Sequence, residues 1–175
     1  YIYSLAMANA FFIAGMAKEI LLINADTYSK YINSKDRSTR VLFGDGAAAT
    51  IVRKSNGRKG IIDIDLSSSG SNYKKFWIPA GGLRLPKSPN TYDEIVNVRG
   101  NIRSNNDIEM DGLGVWSFIN TVAPKQVNRI LKRNNMEIRN IDQFIFHQAS
   151  QMTLKSIIKI LNLEEEKVFI NIRNI

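Results

Sequence analysis

Apolar residues recur along the first third of the chain at spacings that predict one helix and three strands. Residues 3–15 carry apolar side chains at helical spacing and end on a glycine, as a capped helix does. The nearly continuous apolar run 19–26 is typical of a strand covered on both faces. Within 40–55 a loop gives way to a second buried strand from about Ala47, and the alternating run 60–67 predicts a half-exposed strand.

The remainder predicts a long connection and then alternating helices and strands. Residues 68–109 are rich in Ser, Gly, Asn and Pro and predict an irregular connection with a short strand or two. The pattern then predicts helices at 113–122, from Pro124, and at 150–162 after an N-cap Ser150, with strands at 142–147 and 167–172. This order favours a layered α/β fold with helices packed on mixed sheets, and it hints at an internal duplication.

Composition excludes several kinds of site. The chain has 175 residues, no cysteine and one histidine, which argues against disulfides, thiolate zinc sites and multi-histidine metal sites. The absence of cysteine fits a cytoplasmic protein. No apolar run reaches the roughly 18 residues of a membrane helix. Because the chain opens at Tyr1 and stops inside an apolar run, we expect it to be an internal piece of a longer protein.

The net charge of +8 favours anionic partners in general. Arg58 and Lys59, after Ser-Asn-Gly, predict a charged turn. The densest basic group lacks interleaved aromatic residues, so nucleic-acid binding is a poor interpretation. Its members are Lys125, Arg129, Lys132, Arg133 and Arg139.

His147 stands where a predicted strand ends and a predicted helix begins. A lone histidine after an apolar strand is often a core residue, but ligands gather at the ends of strands in α/β sheets. The next helix offers free N–H groups to an oxygen, and a neutral imidazole can donate a hydrogen bond or move a proton there. The Gly-rich segment 43–49 lacks the spacing of a phosphate-binding loop and favours a tight turn instead.

Four segments together resemble β-ketoacyl-ACP synthase III enzymes. "DRSTRVLFGDGAAATIV" is similar to that family's D-R-x-T-x-x-x-F-G-D-G-A-x-A, "FIFHQAS" to its P-H-Q-A-N, and "MDGLGVWSF" to its M-x-G-x-E-V-F-x-F. "YIYSLAMANAFFIAGMAKEILLINAD" resembles the helix and strand that follow the family's nucleophilic cysteine. The segments occur in the family's order along essentially the whole chain.

The resemblance implies a thiolase-like fold of two duplicated halves, layered α-β-α-β-α, present here in part. Residues 1–66 would be the end of the first half, 67–109 a connection, and 110–175 the start of the second half. The family takes an acyl group from acyl-CoA onto a cysteine and condenses it with malonyl-ACP, in fatty-acid or related biosynthesis. Its members are homodimers, and the resemblance implies no cofactor besides these substrates.

By resemblance, His147 is catalytic and helps to stabilise the enolate formed when malonyl loses carbon dioxide. The family's cysteine would lie three residues before Tyr1 and its asparagine just beyond Ile175, so we expect the fragment alone to be inactive. The resemblance also implies CoA or pantetheine contacts, acyl-pocket walls and carrier-protein contacts. The CoA or pantetheine contacts are Arg37, Gly112, Trp116, Ala149 and Ser150. The acyl-pocket walls are Leu42 and Phe43. The carrier-protein contacts are Gln148, Ala149, Ser150, Gln151 and Met152.

Several positions depart from the family pattern, among them Trp116, which replaces the usual Phe. Ser150 replaces the usual Asn, whereas Met152 and Ser117 replace basic residues that often contact the carrier protein. Lys155 or the basic helix at 125–133 would then substitute. An acyltransferase with a different acceptor, and a noncatalytic thiolase-fold subunit, therefore stay open as alternatives.

Overall fold

The computed structural model describes residues 1–55 and 60–172, which fall into two compact units. The first comprises Tyr1–Tyr73 and Trp77–Glu109, and the second comprises Lys74–Phe76 and the chain from Met110 onward. The charged turn predicted at Arg58 and Lys59 lies outside the described residues. The assignment of 1–66 and 110–175 to two duplicated halves, joined by 67–109, stays a prediction.

Helices and strands follow one another in a mixed order. The helices are α1 (Ile2–Ile13), α2 (Arg37–Arg40), α3 (Gly112–Arg133) and α4 (Gln151–Leu161). The strands are β1 (Glu19–Thr27), β2 (Asp45–Arg53), β3 (Phe76–Trp77), β4 (Ile95–Val96), β5 (Ile102–Arg103) and β6 (Glu109–Met110). Single 3₁₀ turns occupy Tyr28–Tyr31, Gly70–Lys75, Pro89–Tyr92, Ile138–Asn140 and Glu165–Lys167.

The start of the first unit is a helix on an antiparallel ribbon. Helix α1 confirms the first predicted helix, and Gly15 follows it with a φ of +70°, which a glycine adopts without strain. Strands β1 and β2 pair in register from Glu19↔Arg53 to Thr27↔Asp45. Helix α1 contacts β1, and the two predicted strands are confirmed in position.

The prediction that both strands are covered on both faces is wrong for this chain. Side chains alternate along the ribbon, so a helix on one face leaves the opposite face open. Leu21, Ile23 and Ile51 lie on that open face and are 57%, 68% and 59% exposed. The ribbon therefore carries an uncovered apolar face among the described residues.

The strand predicted at 60–67 is also absent, because residues 61–69 form no regular element. The Ile64 amide donates to Asp63 Oδ1 at 2.8 Å. Such local side-chain bonds compete with pairing to a neighbouring strand. The connection that follows holds three two-residue strands, β3, β4 and β5, where one or two short strands were predicted.

Helix α3 is continuous, so the prediction of two helices divided at Pro124 is wrong. Proline cannot donate a backbone hydrogen bond to Asn120 and tends to bend a helix. Pro124 is nevertheless buried inside the helix, as is Leu131. Helix α3 packs against α4 within the second unit, and tertiary packing of this kind routinely overrides local helix preference.

Helix α4 confirms its prediction closely. Ser150 is the N-cap, and the predicted apolar stripe of Leu154, Ile157, Ile158 and Leu161 is buried. Asn162 ends the helix in the left-handed conformation at φ +51°.

The strands predicted on either side of α4, at 142–147 and 167–172, are reduced to one parallel bridge between Phe144 and Val168. Phe144 donates to the Lys167 carbonyl at 2.7 Å, and Phe169 donates to the Phe144 carbonyl at 3.0 Å. Phe144, Val168 and Ile158 form a buried apolar cluster. These two predictions are therefore wrong as strands, although the segments do lie side by side.

Two further searches cover only residues 1–55 and 60–172. No helix in those ranges is both long and apolar enough to cross a membrane. The same ranges hold no group of three His, Cys, Asp or Glu side chains that could hold a metal ion.

Candidate functional site

His147 lies on the exposed segment that leads into α4. Its carbonyl accepts a hydrogen bond from the Ala149 amide at 3.0 Å, which turns the chain toward the N-cap. Among the described residues the imidazole has no hydrogen-bond or ion-pair partner. The ring is therefore exposed at the N-terminal end of an 11-residue helix, where backbone N–H groups favour negative charge.

Gln148 ties the segment before α4 to the segment after it. Its Nε2 donates to the carbonyls of Phe146 and Phe169, at 3.0 and 3.1 Å. Its Oε1 accepts from the Asn171 amide at 3.2 Å. The side chain takes the place of backbone pairing here and fixes the backbone on which His147 sits.

The N-terminus of α4 carries the other residues of the predicted carrier contact. Ser150 Oγ accepts from the Thr153 amide at 3.1 Å, which caps the helix. Ala149 is half-buried, whereas Gln151 is exposed and Met152 is 63% exposed. Positions 147–152 thus bring the imidazole, a capped helix start and an exposed apolar side chain into one continuous surface.

The N-terminus of α3 is built around Asp111. Its Oδ1 accepts from the Gly114 amide at 3.0 Å, and its Oδ2 lies 2.8 Å from Lys75 Nζ. Gly112, a predicted pantetheine contact, is exposed in the first turn of this helix. The ion pair and the cap together fix the backbone of that turn.

Trp116 lies one turn further along α3 and is half-buried. Its Nε1 and the Oδ1 of Asn120 are buried without a hydrogen-bond partner in the described part of the chain. Asn120 Nδ2 donates to the Trp116 carbonyl at 2.8 Å. The predicted pantetheine wall at this position therefore includes a buried N–H donor that a phenylalanine would not supply.

Arg37, the predicted CoA contact, opens helix α2 in the first unit. Its side chain is exposed and has no hydrogen-bond or ion-pair partner among the described residues. Asp36 immediately before it is fully buried and caps α2 by accepting from the Ser38 amide at 2.9 Å. Burial by itself would raise the pKa of Asp36, but the bonds from the Ser38 hydroxyl and amide, with the Arg103 charge, lower that pKa below its ordinary value.

The two predicted acyl-pocket residues differ in their surroundings. Leu42 is 50% exposed, and its amide donates to the Thr39 carbonyl at 3.0 Å. Phe43 is half-buried and stacks on Tyr28, with ring centroids 5.3 Å apart and planes within 13°. Tyr28 is thus a neighbour of this predicted wall that the sequence reasoning did not single out.

Sequence reasoning also missed the residues that support the predicted contacts. Asp36, Arg103, Lys75 and Asp111 were not identified, because their partners lie far away along the chain. The only local signal was the pair of Asp residues at N-cap positions, Asp36 before Arg37 and Asp111 before Gly112.

Two sequence profiles of one family match most of the chain. The profile described as 3-oxoacyl-[acyl-carrier-protein (ACP)] synthase III matches residues 1–70, and the C-terminal profile of the same family matches residues 131–175. The chain belongs to this family. The resemblance stated from the motifs is therefore confirmed.

Individual synthase III relatives agree with this assignment. The chain is 37% identical over 172 residues to the enzyme of Caldanaerobacter subterraneus subsp. tengcongensis and 33% identical over 174 residues to that of Clostridium tetani. These matches cover 98% and 99% of this chain, but 49% and 51% of the relatives. The chain spans about half the length of the curated relatives it matches.

Solved structures confirm the fold class. A 2.1 Å crystal structure of a 3-oxoacyl-(acyl-carrier-protein) synthase III matches with a TM-score of 0.93 at 34% identity, covering 97% of this chain and 51% of that one. The synthase III of Pseudomonas aeruginosa matches with a TM-score of 0.76 at 29% identity, over 98% and 48% of the two chains. The chain has an α/β, thiolase-like fold, as predicted. The roles predicted for individual site residues stay predictions.

Proposed function

We propose that the whole protein containing this chain is a condensing enzyme. It takes an acyl group from acyl-CoA and condenses it with malonyl-ACP to give 3-oxoacyl-ACP. The observation that carries the proposal is the exposed imidazole of His147 at the N-terminal end of α4, in a chain that belongs to the synthase III family. By family resemblance the nucleophilic cysteine and the asparagine lie outside this chain, so the chain by itself is inactive.

His147 acts in the second half of the reaction. Loss of carbon dioxide from malonyl leaves negative charge on the thioester oxygen, and an imidazole N–H donated to that oxygen stabilises it. Such a donor contributes about 3 kcal/mol where the bound substrate excludes water from it. Gln148 assists by holding the backbone of this segment through its three hydrogen bonds.

The carrier protein docks against the outward face of α4. The relatives' names identify an acyl carrier protein as their substrate carrier. The exposed residues of α4 include Met152, Lys155 and Lys159, and the helix contains no acidic residue. Two lysines beside an exposed methionine fit an acidic surface with an apolar centre.

We further propose that the whole protein is a cytoplasmic homodimer.

A different acyl acceptor is the second candidate. By the family resemblance, Met152 and Ser117 stand where basic residues often lie, and both are exposed. An enzyme that transfers its acyl group to another acceptor would not need a basic carrier surface at those positions.

The test uses the whole protein and intact-mass spectrometry. Incubation with acetyl-CoA and other short acyl-CoA donors should leave a covalent acyl adduct, and malonyl-ACP should then discharge it. His147→Ala should form the adduct at the normal rate but discharge it about 100-fold more slowly. Gln143→Ala, an exposed position earlier in the same segment, should behave like the wild type.

Each candidate function gives a different result. An adduct that malonyl-ACP does not discharge, but another acceptor does, would favour the second candidate. If no acyl-CoA forms an adduct, both candidate enzymes are contradicted, and a noncatalytic thiolase-fold subunit is the remaining alternative.

A further inference from the structure

The loop that carries Arg37 is held by a distant segment of the first unit. That segment contains the β4–β5 hairpin and the turn after it. The contacts run in order along the loop: Ile108 N to Tyr31 O at 2.7 Å, Asn33 Nδ2 to Asp107 Oδ2 at 3.2 Å, and Lys35 Nζ to Glu94 Oε2 at 2.6 Å. The Arg37 side chain itself is exposed and has no hydrogen-bond or ion-pair partner among the described residues.

Arg103 makes the most buried of these contacts. Its Nε lies 2.9 Å from Asp36 Oδ2, with side-chain exposures of 13% and 1%, and this ion pair lacks hydrogen-bond geometry. Its Nη2 donates to Ser38 Oγ at 3.4 Å. Arg103 therefore reaches the residues on both sides of Arg37 in the sequence.

This contact matters because helix α2 is too short to be stable without tertiary contacts. Four residues make one helical turn, which has no stability in isolation. Its N-cap is the buried carboxylate of Asp36. A buried charge without a partner destabilises the structure around it, so Asp36 needs a nearby cation to keep this position. Arg103 is the cation that the described structure places against Asp36.

We propose that Arg103 is a positioning residue for acyl-CoA recognition, which fixes Asp36 and Ser38 so that Arg37 is presented to the nucleotide part of CoA. The inference rests on the proposed function, because the CoA contact of Arg37 is carried over from the family. Arg103 does not touch the substrate in this role. It acts on affinity for the nucleotide and leaves the chemistry at the thioester unchanged.

The test compares two acyl donors with the whole protein. Acetyl-CoA carries the nucleotide, whereas acetyl-pantetheine lacks it, and the rate of acyl transfer to the enzyme is measured with each. Arg103→Met should raise KM for acetyl-CoA about tenfold without changing kcat, which corresponds to the loss of one charge-assisted hydrogen bond from Arg37 to the nucleotide. The kcat/KM for acetyl-pantetheine should stay at the wild-type value.

Three further variants sharpen the comparison. Arg103→Lys keeps the charge, so its KM for acetyl-CoA should be only about threefold above that of the wild type. If Arg103→Met does not fold, the KM of Arg103→Lys provides the test instead. Arg37→Ala combined with Arg103→Met should be no worse than Arg37→Ala alone, because both changes remove the same contact. Arg99→Met, an exposed arginine in the turn of the same hairpin, should leave both donors unaffected.

The possible failures differ from one another. Equal losses with both donors, or additive effects of the Arg37 and Arg103 changes, would overturn the positioning role and show a purely structural residue. A wild-type enzyme that uses both donors, with an Arg37→Ala variant that matches it, would also overturn the inference while leaving the condensing function intact. A wild-type protein that accepts neither donor would contradict the proposed function and the inference together.

Discussion

Lys75 and Asp111 form an ion pair beside the first turn of α3, with Lys75 Nζ 2.8 Å from Asp111 Oδ2. The pair lies over Gly114, where an added Cβ would come within 2.5 Å of Asp111 Oδ2 and of Lys75 Cδ. No ordinary Cβ contact is that short. Both atoms belong to flexible side chains, so a methyl group at 114 would push the Asp111 and Lys75 side chains aside and disturb the ion pair and the N-cap.

Gly114→Ala should destabilise the protein by about 1 kcal/mol, although alanine is the better helix former. The new methyl group displaces Asp111 and Lys75, which removes the cap and the ion pair. Urea denaturation measures the change. Gly112→Ala is the matched control, because its nearest neighbour would be Met110 Cε at 3.9 Å, and it should be neutral or stabilising. Equal effects of the two substitutions would contradict this account.

Ser150→Ala should cost about 1 kcal/mol by removing the N-cap of α4. Ser150→Asn should retain wild-type stability, since asparagine caps as well as serine does, and asparagine is the residue the family usually has there. Ser156→Ala, a half-buried serine in the middle of α4, is the control and should change stability little. Thermal or urea melts of the three variants measure the differences. A stable Ser150→Ala variant would show that the cap contributes nothing.

Helix α4 could be predicted from sequence because every signal for it is local. Ser150 at the cap and the apolar residues Leu154, Ile157 and Ile158 repeat at helical spacing within one window. The strands around it could not be predicted correctly, although their composition favours strands. Strand pairing there depends on Gln148, whose side chain replaces the backbone ladder between the two segments.

The candidate site shows the same division between local and distant signals. His147 and Arg37 could be proposed from the sequence because each lies within a short family motif. Arg103 could not be proposed, because its partner Ser38 is 65 residues away and no spacing rule links the two. Pro124 was misread since burial of α3 against α4 outweighs the local preference of proline for a helix start.

The buried carboxylate of Asp36 should make stability depend on acid pH. Its pKa in the folded protein lies below the ordinary value of 3.8, so the folded state binds its proton less readily than the unfolded state. Its stabilising contribution is therefore complete above about pH 5 and is lost as pH falls through the folded pKa.

Asp36→Asn should cost about 3 kcal/mol at pH 7, because it leaves Arg103 buried without its counter-charge. The difference from the wild type should shrink progressively below pH 4. Urea denaturation at a series of pH values from 7 to 3 measures it, with the exposed Asp93→Asn as the control. A difference that does not change with pH would show that the charge of Asp36 is unimportant.

The outward face of α4 gives the last prediction. If an acidic carrier protein docks there, Lys155→Glu should raise KM for malonyl-ACP about fivefold, equivalent to about 1 kcal/mol for reversing one exposed charge. The acyl-transfer step from acetyl-CoA should keep its wild-type KM, because that donor needs no carrier. Lys18→Glu makes the same charge change at an exposed position in the first unit and should affect neither step.

Salt gives a second measurement, because it screens docking between exposed charges. The KM of Lys155→Glu for malonyl-ACP should therefore approach that of the wild type as NaCl is raised from about 50 to about 500 mM. A Lys155→Glu variant with normal kinetics for malonyl-ACP would move the carrier surface away from α4 and strengthen the case for a different acyl acceptor.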